Sequence, residues 1–112
     1  MRLLVTGGRD YHDYNAFLLA VQMLPKPDCI IHGNAKGADN LADKYGLSVG
    51  IPVIRVPAEW DYYGNAAGMI RNEWMITLLS PTYCMALPGG RGTSGMVNLC
   101  IKHNIPVWKP YS

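Results

Sequence analysis

The feature that most restricts this chain is a repeating order: a short apolar run, a cluster bearing Gly or Pro, then a stretch whose apolar residues return at helical spacing. The apolar runs fall at residues 3–6, 29–32, 53–56, 83–87 and 106–108. Their length, and apolar character on both faces, make them five buried strands. Between the first two, Phe17, Ala20, Val21 and Leu24 recur at i, i+3, i+4 and i+7 and share one helical face, and Pro25 and Pro27 end that helix. Ala38, Leu41, Ala42 and Tyr45 repeat the spacing before Gly46 and Gly50, and Met96, Val97 and Cys100 do so before Asn104. Strands alternating with helices imply an α/β fold of three layers, a mostly parallel five-stranded sheet covered on both faces. Right-handed crossovers place all strand C-termini at one edge, where ligands of open sheets bind at the reversal of strand order.

The 112 residues fit a single compact domain, 1–112, which buries roughly two-thirds of its unfolded surface and needs neither disulfides nor a structural metal. Ten Lys or Arg against eight Asp or Glu leave a net charge of +2, scattered singly, so the charge marks no nucleic-acid or membrane-binding arm. No apolar stretch approaches the roughly 18 residues of a membrane helix, and a soluble cytoplasmic protein is expected. Cys29, Cys84 and Cys100 lack C-x-x-C spacing and read as buried thiols. No His, Cys or carboxylate cluster has metal-ligand spacing, and neither a metal nor a cofactor is expected. The stretch 65–79, from Asn65 to Leu79, differs from the other helices because its apolar residues, among them Met69, Trp74 and Leu78, cover most of the circumference. A homo-oligomer through this helix is expected; the alternative is a helix wholly buried in its own domain.

The loops at the C-terminal edge should carry the function. They are Thr6-Gly7-Gly8-Arg9-Asp10, His32-Gly33-Asn34-Ala35-Lys36-Gly37-Ala38-Asp39, Pro57-Ala58-Glu59-Trp60 and Pro88-Gly89-Gly90-Arg91-Gly92-Thr93. Three of the four are glycine-rich, and a glycine-rich loop running into a helix brings backbone N–H groups and the positive end of the dipole to a phosphate. The fourth is the strongest case, with three glycines, then Thr93 at the helix start and Ser94 beside it. The alternative is that Gly and Pro merely punctuate short turns, which three loops converging on one edge make a weaker account. The chain has no G-x-x-x-x-G-K-[ST], and its first loop, Gly7-Gly8-Arg9-Asp10, is not G-x-G-x-x-G, which removes support from ATPase and ordinary dehydrogenase readings.

Polar residues of the same edge would complete a nucleotide site: Arg9, Lys36, Arg71 and Arg91 for phosphate, Asp10 or Asp39 for ribose, Asn34 or Asn72 for base or ribose. Asp39 could equally be a dipole partner in the first turn of its helix, and Asp10 or Asp13 a cap of the first helix. Trp60, Tyr62 and Tyr63 lie in a surface loop, where their rings would stack on a base or anchor an interface. His32, ending an apolar strand, reads as a hydrogen-bonded structural residue.

These motifs, together with Ala67-Gly68-Met69-Ile70-Arg71-Asn72, resemble the SLOG superfamily in its YspA/YpsA-related branch, over nearly the whole chain and in the same order. The resemblance implies a Rossmann-like fold that binds nucleotides or nucleotide-derived ligands. The superfamily includes the LOG phosphoribohydrolases, the single-strand DNA-binding protein DprA, and domains proposed to sense or process NAD- and ADP-ribose-like signals. LOG enzymes carry P-G-G-x-G-T-x-x-E, whose Thr and Gly hold phosphate and whose Glu takes part in N-glycosidic cleavage, with an upstream Arg-Lys pair. Pro88, Gly89, Gly90, Gly92 and Thr93 match, but the Glu position is Met96 and the pair reads Arg71-Asn72. A thioether cannot do the work of that carboxylate.

The expected function is therefore a module that senses or sequesters an NAD-like, ADP-ribose-like or cyclic nucleotide signal. The alternative is a hydrolase of an N-glycosidic or phosphate bond, with Arg71 stabilising charge and Glu59, Glu73, Asp10 or Asp39 replacing the missing carboxylate. A third reading, single-strand nucleic-acid binding as in DprA, needs a basic groove that the interleaved charge does not favour.

Overall fold

The computed structural model describes residues 1–111. Within them the chain forms β1 (Arg2–Thr6), α1 (Tyr14–Val21), β2 (Cys29–His32), α2 (Ala38–Val49), β3 (Val53–Arg55), α3 (Trp60–Tyr63), a 3-10 turn (Gly64–Ala66), α4 (Ala67–Leu79), β4 (Tyr83–Ala86), α5 (Arg91–Lys102) and β5 (Val107–Trp108). The sheet order is β3-β2-β1-β4-β5 and every pairing is parallel. The expected α/β architecture is found, wholly rather than mostly parallel. No helix among the described residues is long and apolar enough to cross a membrane.

Period-2 alternation in the strands divides the interior into two cores. Leu3, Val5, Ile30, Met85 and Leu87 face Phe17, Ala20, Val21, Ala42 and Tyr45 of α1 and α2. Leu4, Ile31 and Cys84 face the other way, against Met75 and Ile76 of α4 and Met96 and Cys100 of α5. Cys29, Cys84 and Cys100 are buried free thiols, as their apolar surroundings lead one to expect.

Some boundaries differ from the sequence expectation. α1 stops at Val21, and residues 22–24 continue as tighter turns, Met23 N–H donating to Ala20 O and Leu24 N–H to Val21 O. Pro25 and Pro27 thus follow the end of the helix instead of breaking it. Asp13, the alternative to Asp10, caps α1, its Oδ1 accepting from Ala16 N–H at 3.0 Å. Residues 60–63, expected as loop, form the short helix α3, and the stretch 65–79 becomes helical only at Ala67. α4 is not buried all round: Met69 and Leu78 are about two-thirds or more exposed. Its C-terminus is fixed by Arg2, whose Nε donates to Leu79 O at 2.8 Å.

The order β3-β2-β1-β4-β5 reverses direction at β1, since the chain leaves β1 toward β2 and β3 and later returns to place β4 on the opposite side. The loops after β1 and β4 therefore diverge toward opposite faces, opening a crevice at their C-terminal ends.

Candidate functional site

Gly8 knits three of the loops together. Its N–H donates to Pro88 O at 2.9 Å, and its carbonyl accepts from Tyr11 N–H at 3.2 Å and Ala38 N–H at 3.1 Å. That N–H is thereby committed to the protein and unavailable to a phosphate. Gly37 closes the same junction with φ +76°, where a Cβ would strike the carbonyl oxygens of Gly8 and Arg9.

Above the junction lies a cleft of about 960 Å³, at the upper end of the range for small-molecule sites. Thr6, Gly7, Gly8 and Arg9 line it from the first loop, Gly33 and Asp39 from the second, and Gly90, Arg91, Gly92 and Thr93 from the fourth. Trp60 of α3 and Arg71, Asn72 and Glu73 of α4 complete the predicted set. Asn34 and Lys36 line an adjoining hollow of about 320 Å³, which shares Arg9, Gly33, Trp60 and Arg71 with the cleft. Asp10, Gly37, Glu59, Pro88 and Gly89 line neither space. α5 starts at Arg91, so Thr93 sits within its first turn; Gly90 provides no side-chain cap. The leading N–H groups of α5 therefore lack helical acceptors at the cleft.

Arg71 is half-buried and held by neutral acceptors. Its Nη1 donates to Gly33 O at 2.6 Å and its Nε to Asn72 Oδ1 at 2.9 Å. A Cβ on residue 33 would lie 2.6 Å from Nη1, so only glycine leaves room for the guanidinium. Burial lowers the Arg71 pKa, and the Arg9 charge adds to the fall against the opposing attraction of Asp39.

Asp39 has a role beyond the two considered from sequence. It stands in the first turn of α2, but Oδ2 accepts from Gly33 N–H at 3.0 Å and Ala35 N–H at 3.2 Å, clamping the second loop. Burial pushes its carboxyl above the ordinary aspartate range, against the pull of the Ala35 N–H, His32, Arg71 and the Gly33 N–H. His32 is fully buried and structural, as expected. Its Nδ1 accepts from Asn34 N–H at 2.9 Å, leaving Nε2–H to donate to Asp43 Oδ1 at 2.8 Å. Asp43 also takes a forked pair from Arg55, at 2.6 and 3.2 Å, and this cation is the main reason its carboxyl is held below the usual range.

Further cleft-lining residues escaped the sequence reading: Gly95, Asn98, Leu99 and Lys102 of α5, with Asn65, Gly68 and Met69 ahead of and along α4. The α5 set recurs at i, i+3, i+4 and i+7, the face opposite the buried Met96, Val97 and Cys100, and that spacing was the available signal. Met96 itself is 1% exposed and packed with Leu4, Cys84 and Cys100. A carboxylate at this position would enter the core instead of the cleft. Met96→Glu is expected to cost at least about 2 kcal/mol at neutral pH and to produce no hydrolase. Because a buried Glu binds its proton more tightly in the folded state, the loss should shrink as pH falls. Urea melts at pH 5 and 7.5 check this; equal losses at both would place the new side chain in solvent.

The sequence profile of the YspA, cpYpsA-related SLOG family matches residues 1–63, from β1 through α3. A gene 61 protein of Mycobacterium phage D29 is 32% identical over 119 aligned positions, covering 95% of this chain and 93% of that one. The chain belongs to the YspA, cpYpsA-related SLOG family. No solved structure matches it. The SLOG match spans the first two glycine-rich loops and α3, whereas Arg71 and the start of α5 lie beyond it. Both halves nevertheless meet at one crevice in the SLOG domain, because Gly8 N–H and Pro88 O are bonded across them.

Proposed function

We propose that this SLOG domain binds a nucleotide or nucleotide-derived ligand, of NAD-like, ADP-ribose-like or cyclic nucleotide type, as a sensing or sequestering module. The observation that carries the reading is the meeting of cations with open helix donors. Arg9, Arg71, Arg91 and Lys102 line the cleft against two carboxylates, Asp39 and Glu73, and Asp39 is spent on the second loop. Phosphate sits against the first turn of α5, with Thr93 beside it and Arg91 and Arg71 supplying charge. Trp60, about half exposed and bordering both spaces, offers a face on which a base stacks. Asn72 is occupied with Arg71, so its contribution is to hold the guanidinium.

The exposed Met69 and Leu78 of α4 favour self-association through that helix. A second reading rests on Glu73, whose exposed carboxylate borders the same cleft as Arg71 and Arg91; there it would activate water for N-glycosidic or phosphate hydrolysis. Native mass spectrometry of the protein incubated with mononucleotides, NAD derivatives and cyclic dinucleotides separates the two. An intact ligand retained on the folded protein is the expected result. A shortened product that disappears in Glu73→Gln establishes the hydrolase, and no retained mass and no product anywhere in the panel rejects both.

A further inference from the structure

The hollow beside the cleft is lined by Arg9, Lys36 and Arg71, and by no carboxylate. None of the three forms an ion pair within 4 Å among the described residues. Arg9 and Arg71 are near enough for the Arg9 charge to oppose that of Arg71, so the hollow gathers like charges at a cost. Arg71 stands on the boundary between hollow and cleft, lining both. Its Nη1 and Nε are held by Gly33 and Asn72, while Nη2 faces the space between Gly68 and Trp60: a Cβ at residue 68 would lie 3.8 Å from Nη2 and 3.4 Å from the Trp60 ring. The guanidinium is thus oriented by neutral groups, and Nη2 makes no hydrogen bond among the described residues.

We propose that the ligand carries two separated anionic groups and straddles Arg71, with one anion at the first turn of α5 and the other in the hollow formed by Arg9, Lys36 and Arg71. This rests on the nucleotide-binding reading and narrows it, since a ligand with one phosphate occupies only one of two anion sites. Ligand chemistries that meet the requirement include a nucleoside bisphosphate, with the anions on one ribose, and a dinucleotide, with a nucleoside between them.

Titration calorimetry tests this with adenosine 5′-monophosphate, adenosine 3′,5′-bisphosphate and the 5′-phosphorylated dinucleotide pApA. One of the doubly charged probes should bind at least about thirtyfold more tightly than the monophosphate, and which one does so identifies the spacing. In Lys36→Ala that ratio should fall to within about threefold. Lys36 is exposed and makes no side-chain hydrogen bond or ion pair among the described residues, so the variant folds, as circular dichroism will verify. Comparable affinities for all three probes, or a ratio unchanged by Lys36→Ala, overturn the second anion site and leave the nucleotide reading standing. Absence of binding by every probe and by the wider nucleotide panel overturns both.

Discussion

Replacing Gly37 by alanine is expected to destabilise the protein by about 4 kcal/mol, several times the effect of the same change at Gly50. Both glycines have positive φ, +76° and +74°, but Gly50, with ψ 25°, lies in the left-handed helical region, where a side chain costs about 1–2 kcal/mol, whereas Gly37, with ψ −124°, lies outside it in a region that only glycine adopts readily. Their surroundings differ. At Gly50 an added Cβ meets nothing within 4 Å, whereas at Gly37 it strikes the carbonyl oxygens of Gly8 and Arg9. Relief would require the first and second loops to part, breaking the Ala38 N–H to Gly8 O bond. Urea denaturation of the two variants measures the difference directly. Equal losses would mean that the loops separate freely, and the site would then lack the fixed floor described above.

The positions of the strands were legible because parallel strands covered on both faces are apolar throughout, and each is followed by a visible break such as Thr6-Gly7-Gly8 or Leu87-Pro88-Gly89. The resulting topology predicted where loops would converge. What those loops spend on themselves was not legible. No sequence pattern announces that the Gly8 N–H is given to Pro88 O, or that Asp39 reaches back to Gly33 and Ala35, because both contacts depend on segments brought together only by the sheet. α3 escaped for a different reason: four residues, Trp60–Tyr63, are too few to display a helical period. Met96 illustrates the value of placement. The sequence showed that a carboxylate was missing there, while the structure shows the position turned into the core, among Leu4, Cys84 and Cys100.

Arg71→Ala is expected to weaken nucleotide binding by about a hundredfold, the consequence of removing one oriented charge-assisted donor set from a partly buried site. Arg71→Lys keeps the charge but loses the fork that grips Gly33 O and Asn72 Oδ1 with two nitrogens and leaves Nη2 free of either, and should recover no more than about tenfold of the loss. Calorimetry on the ligand retained in native mass spectrometry provides the comparison, with thermal melts confirming that each variant is folded. Full rescue by lysine would reduce Arg71 to a point charge. Wild-type affinity in the alanine variant would place the ligand away from α4 altogether.

The position of β1 gives the site a place in time. Of the five strands of the sheet, β1 leaves the ribosome first, yet one of its two neighbours, β4, pairs Leu3 with Tyr83, and the cleft's far wall begins only at Gly90. A nascent chain can assemble β1, β2 and β3 early but holds an open edge on β1 until most of the sequence has been made. The pocket is consequently among the last things to form. A ligand that joins Arg9 to Arg91 would tie the earliest loop to the latest helix, so occupancy should favour the completed fold over its partly assembled precursors.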